Sequence, residues 1–123
     1  MNGNMSQNNL ATRGMILDKS VIILGTEYTI TEDESLVNND ADGLTRVFKH
    51  QIFVRPYKKM LDSDDSDNEK KACYRETIRH EIIHAFLKES GNEEYYIDEH
   101  LVQTLAVLYP KINAVLAEIG ASA

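Results

Sequence analysis

The chain has 123 residues, a formal net charge of −7 and a hydrophobic fraction of 42%. This length suits one domain with one modest core. The acidic balance argues against nucleic acid and anionic membranes as partners, because binding phosphate requires clustered Lys and Arg. A single cysteine, Cys73, excludes an internal disulfide and gives no sign of an oxidising compartment.

The first residues, "MNGNMSQNNLATRG", are polar and lack the apolar stretch of a signal peptide. Their composition predicts a flexible arm over residues 1–13, followed by a single domain over 14–123. No apolar run approaches the roughly 20 residues that span a bilayer. We therefore expect a cytoplasmic protein that does not associate with membranes.

The first half of the domain has strand-like patterns. "VIILGTEYTITE" contains two such runs on either side of Gly25, which predicts a hairpin or a bulged strand. A loop rich in Asn and Asp follows and ends at Asp42-Gly43. "TRVFKHQIFVRP" then predicts a strand up to Pro56, although Lys49-His50 would alternatively form the tip of a second hairpin. In the single-strand interpretation, one face carries Phe48, His50, Ile52 and Val54.

The second half has helical signals. Ser66 and Glu69 form a capping-box pattern, and no Pro or Gly interrupts residues 67–90 before Gly91. A second helix is predicted over residues 98–109 with Asp98 as its N-cap, and Pro110 kinks or ends it before a short C-terminal helix. The fold class is therefore α+β: a small, mainly antiparallel sheet from residues 15–57, packed against these helices.

The sequence His80-Glu81-Ile82-Ile83-His84 lies inside the first long helix. Residues four apart on a helix share one face, so two imidazole nitrogens can bind one zinc ion. Glu81 is rotated by about 100° from His80, too far to be the natural third ligand. It can instead act as the catalytic base on a water bound at the open position of the metal.

A catalytic zinc site usually has three protein ligands and a water, so one ligand is missing. Glu99 and His100, at the start of the second helix, are the candidates. Because they are consecutive, they point about 100° apart and only one should face the metal. Periodicity favours Glu99 only slightly, and His100 remains the alternative ligand.

"TIRHEIIHAFLKESG" followed by "DEHLVQTLAVLYPKI" resembles the short HExxH proteins of phages and prophages of Gram-positive bacteria. These resemble minimal gluzincin metallopeptidases and, more loosely, the ImmA/IrrE-like and SprT-like groups. The resemblance implies a zincin-like domain over residues 14–123, with zinc held by His80, His84 and Glu99. It also implies a zinc-dependent hydrolase that cleaves a peptide or protein substrate in the bacterial host cytoplasm.

Two tyrosines, Tyr95 and Tyr96, lie in the turn beside the predicted site. Either would be able to donate a hydrogen bond to the oxyanion of a peptidase reaction, although core packing is the more common role of such tyrosines. The alternative function is a non-catalytic binding or regulatory module of a phage or mobile element, in which zinc is structural. The sequence does not specify the substrate or the oligomeric state.

Overall fold

A β-hairpin opens the described part of the chain. The computed structural model describes residues 18–62 and 64–123, so the arm expected over residues 1–13 lies outside them. Strands β1 (Lys19–Ile23) and β2 (Thr26–Glu32) pair antiparallel. Leu24 and Gly25 join them with φ of 48° and 88°, the positive values that a two-residue turn of type I′ requires at both positions. The hairpin predicted around Gly25 is thus confirmed.

Two further strands complete a four-stranded sheet of order β1-β2-β4-β3. A short helix α1 (Ser35–Asn38) leads from β2 to β3 (Gly43–Arg46), and β4 (Gln51–Val54) follows. Strands β3 and β4 pair antiparallel, whereas β2 and β4 pair parallel. The sheet is therefore mixed, with antiparallel pairing at two of its three strand interfaces.

The connection between β3 and β4 decides between the two interpretations of residues 45–56. The chain turns over residues 47–50, so the second hairpin is correct and the single long strand is wrong. His50 has φ of 56°, in the left-handed region, which interrupts the alternation of side chains along a strand. Phe48 consequently does not share a face with the buried Ile52 and Val54 but is 80% exposed.

The long helix α2 (Asp67–Glu89) has the two ends that its sequence predicts. Ser66 accepts a hydrogen bond from the N–H of Glu69, whose side chain accepts from the N–H of Ser66. At the other end, Gly91 has φ of 85°, and its N–H donates to the carbonyl of Lys88. The N–H of Asn92 reaches the Leu87 carbonyl, which completes a Schellman motif.

The core forms between α2 and one face of the sheet, together with the 3₁₀ turn Tyr57–Lys59. Strand residues at alternate positions and helix residues three or four apart are the ones buried, as the two periodicities require. The cluster consists of Ile23, Tyr28, Ile30, Ile52, Val54, Tyr57, Met60, Tyr74, Ile78 and Ala85. This packing fixes the orientation of α2 and with it the direction of the histidines.

A one-turn helix α3 (Glu93–Tyr96) leads to α4 (Glu99–Glu118), which folds back against α2. Asp98 caps α4 as predicted and accepts a hydrogen bond from the N–H of Leu101. The separate C-terminal helix is wrong, because α4 continues through Pro110. Proline lacks the N–H that would bind the Ala106 carbonyl. Arg79 of α2 supplies a donor instead, with its Nε 2.9 Å from that oxygen.

The α+β architecture predicted from the sequence is confirmed: a small sheet packs on the helix that carries the two histidines, and that helix packs on α4. Within residues 18–62 and 64–123, no helix combines the length and apolar character needed to cross a membrane.

Candidate metal centre

Three side chains from α2 and α4 converge at one point. One donor atom each of His80, His84 and Glu99 lies within 4.8 Å of the other two. Oε1 of Glu99 is 2.8 Å from Nε2 of His80 and 3.2 Å from Nε2 of His84. The four-residue spacing places the histidines on one face of α2, and the short turn through α3 brings Glu99 opposite them. The structure thus brings together the three residues that the sequence suggested as ligands.

The Nδ1 atom of each imidazole faces a group that acts as a hydrogen-bond acceptor. Nδ1 of His84 is 2.5 Å from the carbonyl oxygen of Tyr96, which can only accept. Nδ1 of His80 is 2.7 Å from Oε1 of Gln103, and the amide nitrogen of Gln103 donates to Glu76. Both Nδ1 atoms therefore carry hydrogens, and in the neutral rings each Nε2 presents a lone pair.

These lone pairs have a direct consequence for what can occupy the centre. Two Nε2 atoms and the Glu99 oxygen are all acceptors, so they would repel one another at such separations unless positive charge lies among them. Either protonation of the imidazoles or a bound cation supplies that charge. Orientation of ligating histidines through hydrogen bonds at the second ring nitrogen is the common arrangement in metal sites.

Glu99 lies at the first position of α4 and its side chain is 71% exposed. Partial burial would raise the pKa of its carboxyl group, but the hydrogen bond with His80 and the charge of His84 together hold that pKa below the ordinary value. His100 is exposed and does not belong to the converging group. The helix rotation of about 100° between the two residues explains why only Glu99 faces the histidines.

Glu81 has a different environment from the three converging residues. It is only 7% exposed, and Oγ1 of Thr45 in β3 lies 2.6 Å from its Oε1 and 3.0 Å from its backbone carbonyl. Burial raises the pKa of the Glu81 carboxyl group, against the lowering effect of Thr45 and of the neighbouring histidines. A buried carboxylate with a raised pKa, beside three candidate metal ligands, is suited to act as a general base.

Gly43 forms the other wall of the Glu81 pocket. A Cβ atom at this position would lie 2.7 Å from Oε2 of Glu81 and 2.8 Å from its Cγ. Only glycine fits there without displacing the carboxylate or the strand. Gly43 and Thr45 are two residues apart on β3, so the same face of the strand contacts Glu81 at both positions.

The site lies in an open cavity of about 620 Å³, bounded by β3, α2, α3 and α4. The cavity is lined by the three motif residues of α2 and by the candidate ligand of α4: His80, Glu81, His84 and Glu99. Among the described lining residues there are further acids, Asp42 and Glu76, and no Lys or Arg. The cavity is thus large enough for part of a peptide, and its charge favours cations over phosphate-bearing molecules.

The two tyrosines differ in their relation to this cavity. Tyr96 is half-buried and lines it, and its carbonyl also orients His84. Tyr95 is exposed and is not among the lining residues. Of the two candidates for oxyanion stabilisation, the geometry leaves Tyr96.

Sequence reasoning missed Gly43, Thr45, Glu76 and the role of Gln103. A signal existed for Gln103, because it lies four residues after Glu99 and so shares its helix face. Nothing in the local sequence indicates Gly43 or Thr45, since both act on Glu81 across a long separation along the chain.

No protein-family model, no curated protein and no solved structure matches this chain. The likeness to minimal gluzincins drawn from the motif residues therefore stays a prediction.

Proposed function

We propose that this protein is a zinc-dependent metallopeptidase of gluzincin-like type that cleaves a peptide or protein substrate. The observation that carries the proposal is the convergence of two imidazole Nε2 atoms on the Glu99 carboxylate beside the buried Glu81. Two histidines and one glutamate are a donor set of known catalytic zinc sites. We place this activity in the cytoplasm, because the one cysteine of the chain, Cys73, is free.

The donor atoms fit a zinc ion in type and spacing. Ligands at 2.0–2.1 Å in a tetrahedral arrangement stand about 3.3 Å apart. The two separations from Glu99 Oε1, 2.8 Å and 3.2 Å, approach that spacing. Zinc held there would act as a Lewis acid and lower the pKa of a bound water towards about 7.

The chain's own residues then have defined tasks. Glu81 takes a proton from the attacking water and returns it to the leaving amine, so it serves first as base and then as acid. Thr45 holds one oxygen of this carboxylate, which leaves Oε2 for proton transfer. Tyr96 lines the cavity where it would donate to the carbonyl oxygen of the substrate.

An extended peptide would lie along β3 by main-chain pairing. Strand β4 is paired on both sides, by β2 and by β3, so it offers no open edge. The N–H of Arg55 bonds the Asp42 carbonyl, and alternation along the pair then directs the main-chain groups of Gly43 and Thr45 away from β4. The main-chain N–H and C=O groups of Gly43 and Thr45 lie beside Glu81. A substrate strand paired with them would place a peptide carbonyl near that carboxylate.

A structural zinc is the second candidate, and one observation favours it. Helix α4 has only two buried residues, Val102 and Ala106, so its attachment to α2 would gain from a metal bridge. Structural zinc sites are closed, however, with four protein ligands. The exposure of Glu99 and the open cavity favour the catalytic proposal.

Zinc content and peptide cleavage, measured on matched variants, test the two candidates. Glu81→Gln should retain zinc and lose cleavage of a mixed peptide library by about 10²–10⁴-fold, as expected for removal of a general base. Glu99→Ala should lose zinc affinity. Controls are Glu94→Gln for the first variant and His100→Ala for the second, since both residues are exposed neighbours of the site.

The outcomes separate the proposals. If the wild-type protein binds zinc, is stabilised by it and cuts no peptide, the structural alternative stands. If Glu81→Gln cleaves as fast as wild type, Glu81 is not the base. A protein that binds no zinc at neutral pH contradicts both.

A further inference from the structure

Helix α4 has an apolar stripe that its own domain does not cover. Six apolar residues follow one another at alternating intervals of four and three along this helix, the last of them being its C-cap residue. We refer to them as the α4 seam: Leu101, Leu105, Leu108, Ile112, Val115 and Ile119. An average interval of 3.5 residues is the heptad spacing of helices that pair along their length.

The seam faces away from the rest of the molecule. At about 100° per residue, its mean direction is about 140° from Ala106 and about 100° from Val102, the two residues of α4 that are buried. Exposure increases along the seam, from half-buried Leu105 to 41% at Leu108 and 71% at Ile119. In the described chain, no residue of α4 beyond Ala106 is buried.

We propose that the α4 seam pairs with the α4 seam of a second copy of this chain, in antiparallel orientation. Apolar residues exposed in a row over more than two helical turns are costly in water, and an identical helix covers them with side chains of matching spacing. In the antiparallel arrangement, the four exposed residues of the seam pair: Ile112 lies beside Val115 of the second copy and Leu108 beside its Ile119, whereas the half-buried Leu101 and Leu105 lie outside the contact. The interface is then two-fold symmetric and closed.

The charges beside the seam select the second copy and its orientation. Lys111 and Glu118 lie seven residues apart on the same flank and are both exposed. In an antiparallel pair, equivalent flanks meet, so Lys111 of each copy lies near Glu118 of the other. Two symmetric ion pairs result. In a parallel pair, this flank would meet the apolar flank of Tyr109 and Leu116, where neither charge finds a partner.

The pairing leaves the candidate metal centre open. Glu99 and Gln103 lie on the α2 side of α4, with Ala106, and share no residue with the seam. Pro110 also lies on that side, about 180° from the seam, so its ring does not obstruct a second helix. The proposal is independent of whether the protein cleaves peptides.

Sedimentation equilibrium of the full chain tests the pairing. We expect a reversible dimer with a dissociation constant on the order of 1–100 μM, because the interface is one short helix pair. Ile112→Asp should raise this constant at least tenfold, since it places a charge in the centre of the apolar stripe. Ala117→Asp adds the same charge to the same helix on the opposite face and should leave the constant unchanged. Circular dichroism confirms that both variants remain folded.

Charge exchange tests the orientation. Lys111→Glu and Glu118→Lys should each weaken the dimer by roughly threefold to tenfold, through loss of two ion pairs and new like-charge contacts. The double variant should restore the wild-type constant. A parallel dimer predicts no rescue, because Lys111 and Glu118 then never meet. Wild-type protein that is monomeric on the order of 100 μM, or variants of Ile112 that dimerise as before, would overturn the proposal.

Discussion

The two carboxylates of the candidate metal centre stand in opposite environments. Glu81 is buried between α2 and β3, and burial raises its pKa. Glu99 lies exposed at the start of α4. Its partial burial would raise its pKa, but the hydrogen bond with His80 and the charge of His84 outweigh that effect and lower the pKa. The difference supports the proposed roles: a carboxylate that stays ionised is suited to hold a cation, and one that takes up a proton more readily is suited to transfer it.

The largest effect on this contrast is expected from Gly43→Ala. The added Cβ would come within 2.7 Å of Oε2 of Glu81, so the carboxylate or the strand must move. A displacement of about 1 Å of a catalytic group costs roughly 10²-fold in rate. Turnover of a cleaved peptide should fall by that factor while zinc content is unchanged. Thr29→Ala, at an exposed position of β2 outside the cavity, is the control, and full activity of Gly43→Ala would show that Glu81 is not held by this wall.

The ligand side of the contrast is weakened by Gln103→Ala. This change removes the acceptor that fixes the ring of His80 and frees Glu76 from its partner. Loss of such a group typically lowers metal affinity by about 10–100-fold. Competition with a chelator measures the change. Thr104→Ala removes an exposed hydroxyl group that donates to the carbonyl of His100 within α4, and it should keep wild-type affinity.

A smaller effect, on the base alone, is expected from Thr45→Val. Its hydroxyl group stabilises the charged form of Glu81, so its removal should raise the pKa of Glu81 further. Because the base acts only when ionised, the acid limb of the pH–activity profile should move to higher pH. We also expect a roughly tenfold loss of turnover, comparable with one charge-assisted hydrogen bond. Thr29→Val is the exposed control, and an unshifted acid limb would count against Glu81 as the titrating group.

The smallest effect concerns a further carboxylate, that of Glu89 at the C-terminal end of α2. Hydrogen bonds from Tyr28, the largest effect, and from Thr26 lower its pKa below the ordinary value of 4.5. Its contribution to stability is therefore complete above pH 4.5 and is lost as the pH falls through the lowered pKa. Glu89→Gln should flatten the acid decline of the free energy of unfolding, measured by urea titration. An identical decline in both proteins would contradict this, and Glu94→Gln should match wild type.

Local signals were sufficient for much of the fold. The hairpin at Gly25, the capping box at Ser66, the turn at Gly91 and the cap at Asp98 depend on residues within a few positions of one another. The spacing of the motif likewise predicted that two histidines share a helix face. Such features follow from backbone geometry that neighbouring residues alone determine.

Features that depend on distant contacts were not predictable in this way. The tight fit of Gly43 involves Glu81, in another element, so the glycine resembled an ordinary turn residue in the sequence. Pro110 indicated a helix end, because the Arg79 side chain that replaces the missing donor comes from α2. The expected break also divided the apolar residues of α4 into two short groups, which concealed their continuous spacing.

The bond between Arg79 and the Ala106 carbonyl also bears on how this chain can change by mutation. While residue 110 is proline, the carbonyl depends on the arginine, so a lineage that first loses Arg79 passes through a form with an unsatisfied, partly buried acceptor. A lineage that first replaces Pro110 regains the helical donor, and the Ala106 carbonyl then no longer requires an arginine at position 79. The two positions are therefore epistatic, and the order of substitutions decides which paths are open.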